Sequence, residues 1–109
     1  MGFVERLRAA SAAEKWASRL RFPGVPVDVA NASKKALVSA FVSGWEASAT
    51  HPLDLSRAFA EFATRFMSAF PVEVRRNPAT EAALAGLERA FSAGWTAAER
   101  RRFGVEAAT

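Results

Sequence analysis

The chain has 109 residues, of which half are apolar and 24% are charged, a composition typical of one folded domain rather than of a disordered segment. It contains no cysteine, which excludes a disulfide framework and thiolate chemistry. Fifteen basic residues against eleven acidic ones give a net charge of +4, and the two signs are interspersed, so we expect a mixed solvated surface.

The sequence has no apolar run close to the roughly 18 to 20 residues that a membrane-spanning helix needs. Charged residues occur already at Glu5 and Arg6, so the apolar segment of a signal peptide is absent from the start of the chain. These features predict a cytoplasmic protein with no membrane partner.

The first predicted element is an amphipathic helix from Phe3 to about Leu20, in which apolar residues recur every three or four positions. Two prolines and a glycine follow within residues 23–26, and a helix cannot continue through them. A second helix is predicted over about 29–48, with Asp28 as its N-cap and Asn31 or Ser33 as alternatives. Its apolar stripe contains Val29, Leu37, Phe41 and Trp45.

The third predicted helix begins in the turn at His51 or at Asp54, and Pro71 ends it. Its apolar stripe is the most regular in the chain and consists of Leu55, Phe59, Phe62, Phe66 and Phe70. Residues 72–76 are predicted to be a connector.

The fourth predicted helix has Asn77 as its N-cap and Pro78 as its first residue, because a residue before proline favours the extended conformation of an N-cap. A start at Thr80 is the alternative. It continues through Arg102 to a C-cap at Gly104. Residues 105–109 are expected to fray.

One motif, Leu-x-x-Ala-Phe-x-x-Gly-Trp-x-Ala, occurs at residues 37–47 and again at 87–97. Two further matches precede it in the same order, 16–20 with 62–66 and 26–29 with 71–74. This order indicates a duplicated helical hairpin, although two unrelated hairpins that converged on similar sequences are the alternative.

The predicted fold is therefore all-α, a compact four-helix bundle built from two similar hairpins, in a single domain of residues 1–109 with halves of about 3–48 and 53–103.

Glycine inside a helix costs about 0.5 to 1 kcal/mol relative to alanine, so Gly44 and Gly94 predict a close crossing of the second and fourth helices. For the predicted core residue Phe66, replacement by Ala should cost about 3 to 5 kcal/mol. The predicted core is Phe41, Trp45, Phe59, Phe62, Phe66, Leu87, Phe91 and Trp95.

The sequence contains no pattern of catalytic, metal-binding or nucleotide-binding residues. His51 is the single histidine and lies in a turn before a proline, where it cannot activate a nucleophile or complete a metal site without further ligands. No glycine-rich phosphate loop is present. We therefore expect a protein that is not an enzyme and requires no cofactor or metal.

The candidate binding residues are arginines and one tryptophan. Arg19 and Arg65 occupy corresponding places in the repeat and would bind phosphates or carboxylates of a partner, or else form salt bridges on the helix surface. Trp16 is the candidate exposed aromatic, because its counterpart Phe62 is smaller; burial in the core is the alternative. The other candidate partner- or phosphate-binding residues are Arg75, Arg76, Arg100, Arg101 and Arg102.

The abundance of apolar and aromatic residues without chemistry to support predicts a non-enzymatic interaction or assembly module. Its partner would be a protein, either a second copy in a homo-oligomer or another subunit of a larger complex. The first alternative is a basic helical subunit that contacts the phosphate backbone of a nucleic acid. The second is an effector or inhibitor that docks on another protein.

Overall fold

The computed structural model describes residues 2–50 and 54–103, and their regular secondary structure is entirely helical. The all-α fold class is therefore confirmed. The turn at His51, the C-cap at Gly104 and the fraying of residues 105–109 were predicted for positions outside the described residues. The helices are α1 (Phe3–Ala17), α2 (Val27–Thr50), α3 (Leu55–Ser68), α4 (Val72–Arg75) and α5 (Pro78–Arg102).

Helix α1 ends at Ala17, earlier than the predicted end at Leu20. Ser18 Oγ donates a hydrogen bond to the Lys15 carbonyl at 2.6 Å. The N–H groups of Arg19 and Leu20 then bond to carbonyls three residues back instead of four. A serine side chain competes with backbone N–H groups for helix carbonyls, and this competition ends the helix before the proline segment.

Helix α2 begins at Val27, so Asp28 lies in its first turn and the prediction of Asp28 as N-cap was wrong. The Ala30 N–H donates to the Pro26 carbonyl at 2.9 Å. Pro26 suits this position because its φ is already near the helical value and it has no N–H to satisfy. Gly24 makes the preceding turn at φ 75°, a conformation that glycine adopts without strain.

Two helix starts have side-chain caps. Asp54 accepts a hydrogen bond from the Arg57 N–H at 3.2 Å and begins α3. Asn77 accepts from the Ala79 N–H at 2.8 Å, with Pro78 as the first residue of α5, so the predicted start of that helix is confirmed.

The predicted connector at 72–76 contains the single-turn helix α4, which was not predicted from the sequence. The N–H groups of Val74 and Arg75 bond to the Pro71 carbonyl at 3.0 and 3.1 Å. Pro71 therefore does not simply follow the end of α3; it also begins the next turn of helix, as proline does readily at a helix start.

Helices α2 and α5 form the centre of the fold and run in the same direction. Leu37 lies beside Gly86, and about three turns further along Ser48 bonds to Glu99. Between these points, a Cβ added to Gly44 would overlap the Phe91 backbone, and a Cβ added to Gly94 would overlap the Phe41 backbone. The predicted crossing at the two glycines is confirmed.

Four of the predicted core residues are buried: Phe41, Trp45, Leu87 and Phe91. The other four, Phe59, Phe62, Phe66 and Trp95, are half-buried. Phe91 has the largest fully buried side chain in the described residues, and its ring centroid lies 4.9 Å from that of Phe62. The centre of the core therefore belongs to α2 and α5, and α3 covers it from one side.

Helix α1 packs on the centre through alanines. Ala9, Ala13 and Ala17 are buried, whereas Phe3 and Leu7, which belong to the apolar stripe of the predicted first helix, are exposed. The small side chains let α1 lie close to α2, and this orientation points the larger apolar residues outwards. Among the described residues, no helix is long and apolar enough to cross a membrane.

Candidate interaction surfaces

A groove of about 810 Å³ lies between α1 and α5. Its floor is apolar and its walls are basic, with Lys15 and Arg19 from α1 and Arg89 and Arg100 from α5. Glu88 is its single carboxylate among the described residues. Its apolar lining residues, which we call the floor, are Ala12, Trp16, Phe41, Ala85, Ala93 and Ala97, and Ser92 and Thr96 add two hydroxyl groups to the lining. We call this the α1/α5 groove.

Trp16 lies half-buried on the floor of the α1/α5 groove. Its ring packs on Phe41 with the centroids 5.5 Å apart and the planes tilted by 36°. The side chain therefore contributes to the core with one part of its surface and lines the groove with another. The two predictions for Trp16, an exposed aromatic and a core residue, therefore each describe part of its environment.

A second groove, of about 970 Å³, lies between α2 and α3, and we call it the α2/α3 groove. Ala58, Phe62 and Arg65 line it at the positions that Ala12, Trp16 and Arg19 take in the first groove. Its described charged residues are Arg57, Arg65, Glu46 and Glu61, so its charges balance. Arg19 and Arg65 lie in two separate grooves and do not form one site.

A third cleft, of about 660 Å³, lies where the start of α1 meets the ends of α2 and α5. Trp45 Nε1 donates to Glu5 Oε1 at 2.7 Å, and Arg8 Nη1 lies 3.8 Å from Glu5 Oε2. Arg101 and Arg102 also line this cleft. Its best-defined polar contacts thus tie α1 to α2.

The buried polar cluster beside this cleft joins α2 to α5. Ser48 Oγ donates to Glu99 Oε1 at 2.9 Å, and Arg102 Nη1 donates to the Ser48 carbonyl at 2.8 Å while lying 3.5 Å from Glu99 Oε1. Glu99 is only 7% exposed, and its Oε2 has no hydrogen-bond partner in the described part of the chain. The buried Nε1 of Trp95 also has no partner among the described residues. Residues 2–50 and 54–103 contain no group of three or more His, Cys, Asp or Glu that could hold a metal ion.

The predicted arginine triplet at the end of α5 is divided between two surfaces. Arg100 lines the α1/α5 groove, whereas Arg101 and Arg102 line the third cleft. Consecutive helix residues point about 100° apart, so three adjacent side chains cannot share one narrow surface. Arg102 is also held by the backbone of α2.

The two arginines of the α4 segment have different environments. Arg75 Nε donates to the Phe70 carbonyl at 2.8 Å, which ties α4 to the chain that follows α3. Arg76 is the exposed C-cap of α4. Arg75 therefore has a local structural contact, and neither residue lines one of the three cavities described above.

Sequence analysis missed two basic residues of the α1/α5 groove, Lys15 and Arg89. Their spacing carried a signal, because Lys15 precedes Arg19 by four positions and Arg89 precedes Arg100 by about three turns, so each pair shares a helix face. The pairing of those two faces depends on the tertiary fold.

The start of α1 carries an exposed apolar surface that sequence analysis also missed. Phe3, Val4 and Leu7 are 76%, 59% and 54% exposed and are neighbours on the helix. Arg6 and Arg8 flank them and are exposed as well. We call Phe3, Val4 and Leu7 the α1 patch.

No family model matches the sequence, and neither the curated proteins nor the solved structures gave a significant match to it. The function is therefore inferred from the geometry and charge of the described surfaces.

Proposed function

We propose that this protein is a non-enzymatic helical interaction module that serves as a subunit of a larger protein complex. The α1 patch carries this proposal, since three large apolar side chains are each more than half exposed within two helical turns. Contiguous exposed apolar residues with a polar rim are typical of protein interaction sites, whereas isolated ones are ordinary. The surface would bind the apolar pocket of a partner protein.

The charges around the patch favour a different protein over a second copy of this chain. Arg6 and Arg8 flank the apolar residues on both sides. A symmetric dimer through this surface would bring the arginines of the two copies close together, and like charges in an interface are unfavourable. The proposed partner therefore has an apolar pocket edged by carboxylates.

The first testable prediction concerns the double variant Phe3→Ser/Leu7→Ser. It should lose the protein partner that co-purifies from the native host after nuclease treatment, because the apolar anchors are removed. The matched control is Val27→Ser/Val29→Ser, at the start of α2, where the side chains are 73% and 53% exposed. Both variants should keep their unfolding free energy within about 0.5 kcal/mol of the parent, since the substituted side chains are exposed.

Two co-purification results would contradict the proposal. One is retention of the partner by the α1 variant; the other is equal loss in both variants. Light scattering should show no dimer that depends on Phe3 and Leu7. If the parent forms a concentration-dependent homodimer and only the α1 variant abolishes it, the α1 patch binds a second copy of this chain and not a different protein.

Binding to a nucleic-acid backbone is the second proposed function, and the structure gives it less support. Arg100, Arg101 and Arg102 lie along two surfaces, so the triplet does not act as one phosphate-binding cluster. This alternative requires binding that falls steeply with salt and weakens when the three arginines become Ala. An effector or inhibitor role is a third proposal, and it differs from the first in that the protein would dock on a target protein without being a stable subunit of a complex with it.

We also propose that the two halves of the chain arose by duplication. Gly44 contacts Phe91 and Gly94 contacts Phe41, so equivalent residues of the repeated motif make reciprocal contacts. The α1/α5 and α2/α3 grooves are likewise lined by residues at corresponding positions. This correspondence supports a common origin for the α1–α2 unit and the α3–α5 unit.

A further inference from the structure

We propose that the α1/α5 groove binds an acidic amphipathic helix of a partner protein. The groove lies on a different face of α1 from the α1 patch, and it is lined by other residues. The inference is therefore independent of the function proposed for that patch.

The shape of the groove suits a helix. Its α5 wall runs from Ala85 to Arg100, about 22 Å along the helix axis, or about four turns. Alanines on the floor, among them Ala93 and Ala97, would let another helix approach closely. The half-buried Trp16, which packs on Phe41, adds aromatic surface for the apolar anchors of that helix.

The charge of the groove selects an acidic occupant. Lys15 and Arg19 on one wall face Arg89 and Arg100 on the other, against the single carboxylate of Glu88. Within the described part of the chain, none of these four basic side chains is hydrogen-bonded or paired with a carboxylate. Carboxylates on both flanks of a bound helix would pair with them, and the pairing would orient the helix and accelerate its association.

The combination of an apolar floor and basic walls favours a protein helix over a nucleic-acid strand. An amphipathic helix offers an apolar stripe to the floor and acidic residues to both walls. A single strand would depend on base stacking, and of the two aromatic residues that line the groove only Trp16 has an exposed part, since Phe41 is 2% exposed. The α2/α3 groove has a similar lining but balanced charges, so it provides an internal comparison.

The test uses a fluorescein-labelled peptide of about 16 residues, with leucines along one helical face and glutamates on both flanks. Its binding to the full chain is measured by fluorescence anisotropy. A second peptide carries Lys in place of each Glu, and an oligothymidylate serves as a competitor. The protein variants are Arg19→Glu and Arg89→Glu, with Arg65→Glu as the matched control in the α2/α3 groove.

We expect the acidic peptide to bind saturably and the lysine peptide not to bind. Arg19→Glu and Arg89→Glu should each raise Kd about tenfold or more, whereas Arg65→Glu should change it by less than about twofold. All three arginines are exposed, so circular dichroism should show an unchanged fold.

The proposal is overturned if the acidic peptide does not bind, if all three variants weaken it equally, or if both peptides bind alike. Binding of oligothymidylate that displaces the peptide and is lost in Arg19→Glu would assign the groove to nucleic acid instead. Each of these failures leaves the α1 patch proposal intact, because the patch is tested with Phe3 and Leu7 variants and by co-purification.

Discussion

Gly44 and Gly94 set the distance between the two central helices. A Cβ on Gly44 would come within 3.0 Å of Phe91 Cα and closer still to the carbonyl group of that residue. The atoms in the way are backbone atoms of another helix, so they cannot move aside as a flexible side chain does. Gly86 is also helical, but a Cβ there would lie 3.9 Å from Leu37 Cδ2, an ordinary contact distance.

These environments predict opposite effects of the same substitution. Gly44→Ala and Gly94→Ala should each lower the unfolding free energy by about 3 kcal/mol, because α2 and α5 must separate to accommodate the methyl group. Gly86→Ala, the matched control, should raise it by about 0.5 to 1 kcal/mol, since alanine is the better helix former and has room. Urea unfolding of the three variants measures this, and a Gly44→Ala protein as stable as the parent would exclude the close crossing.

The hydrogen bond from Ser48 to Glu99 is the second feature at the residue scale. Ser48 is fully buried, and Ser48→Ala should cost about 1 to 3 kcal/mol because it leaves the Glu99 carboxylate with one partner fewer. Replacing both residues in Ser48→Ala/Glu99→Met should cost less than the single change, since no buried acceptor then lacks a donor. Thermal unfolding checks the order; a double variant less stable than Ser48→Ala would show that the ion pair of Glu99 with Arg102 contributes more than the burial of the carboxylate costs.

At the scale of elements, α3 has the most regular apolar stripe and yet buries only Ala58 completely. Its phenylalanines form a row, with ring centroids 5.9 Å apart between Phe59 and Phe62 and 6.4 Å apart between Phe62 and Phe66. The row packs against Phe91 on one side and keeps part of its surface exposed on the other. A regular stripe thus identifies which face packs, while the depth of burial depends on how much of that face the neighbouring helices cover.

This difference in burial predicts unequal effects of truncating two phenylalanines. Phe91→Ala should cost about 3 to 5 kcal/mol, because Phe91 is 1% exposed and fills the space between α5 and α3. Phe66→Ala should cost about half as much, less than the sequence alone predicts, because Phe66 is half-buried. Guanidinium unfolding of both variants provides the comparison. A larger loss of unfolding free energy for Phe66→Ala than for Phe91→Ala would show that Phe66 is buried more deeply than the half-buried position described above.

The limits of sequence analysis are clearest for α1. Spacing of apolar residues located the helix and placed Phe3, Leu7, Ala13 and Ala17 in one apolar series, but Phe3 and Leu7 are exposed whereas Ala13 and Ala17 are buried. The packed face uses Ala9, Ala13 and Ala17, because small residues allow a closer approach to α2. Periodicity measures where apolar residues lie around an axis, and it carries no information on which neighbouring face they meet.

At the scale of the molecule, two parallel central helices and two outer helices leave distinct surfaces around α1. Its outer face presents the α1 patch, and its side towards α5 forms one wall of the basic groove. The net charge of +4 is modest, but four of the basic residues lie together along this groove. The charge around the groove is therefore more positive than the net charge of the whole chain suggests. This local charge determines the class of partner proposed for each surface.

The sequence by itself determined the all-α class, the start of α5 at Asn77 and Pro78, and the crossing at the two glycines. These features depend on local rules: helical periodicity, capping, and the cost of glycine within a helix. Only the tertiary structure decided that α1 packs through alanines and that Lys15 and Arg19 share a groove with Arg89 and Arg100. The physical reason is that burial and the convergence of charges depend on contacts between residues far apart in the chain, which local spacing does not specify.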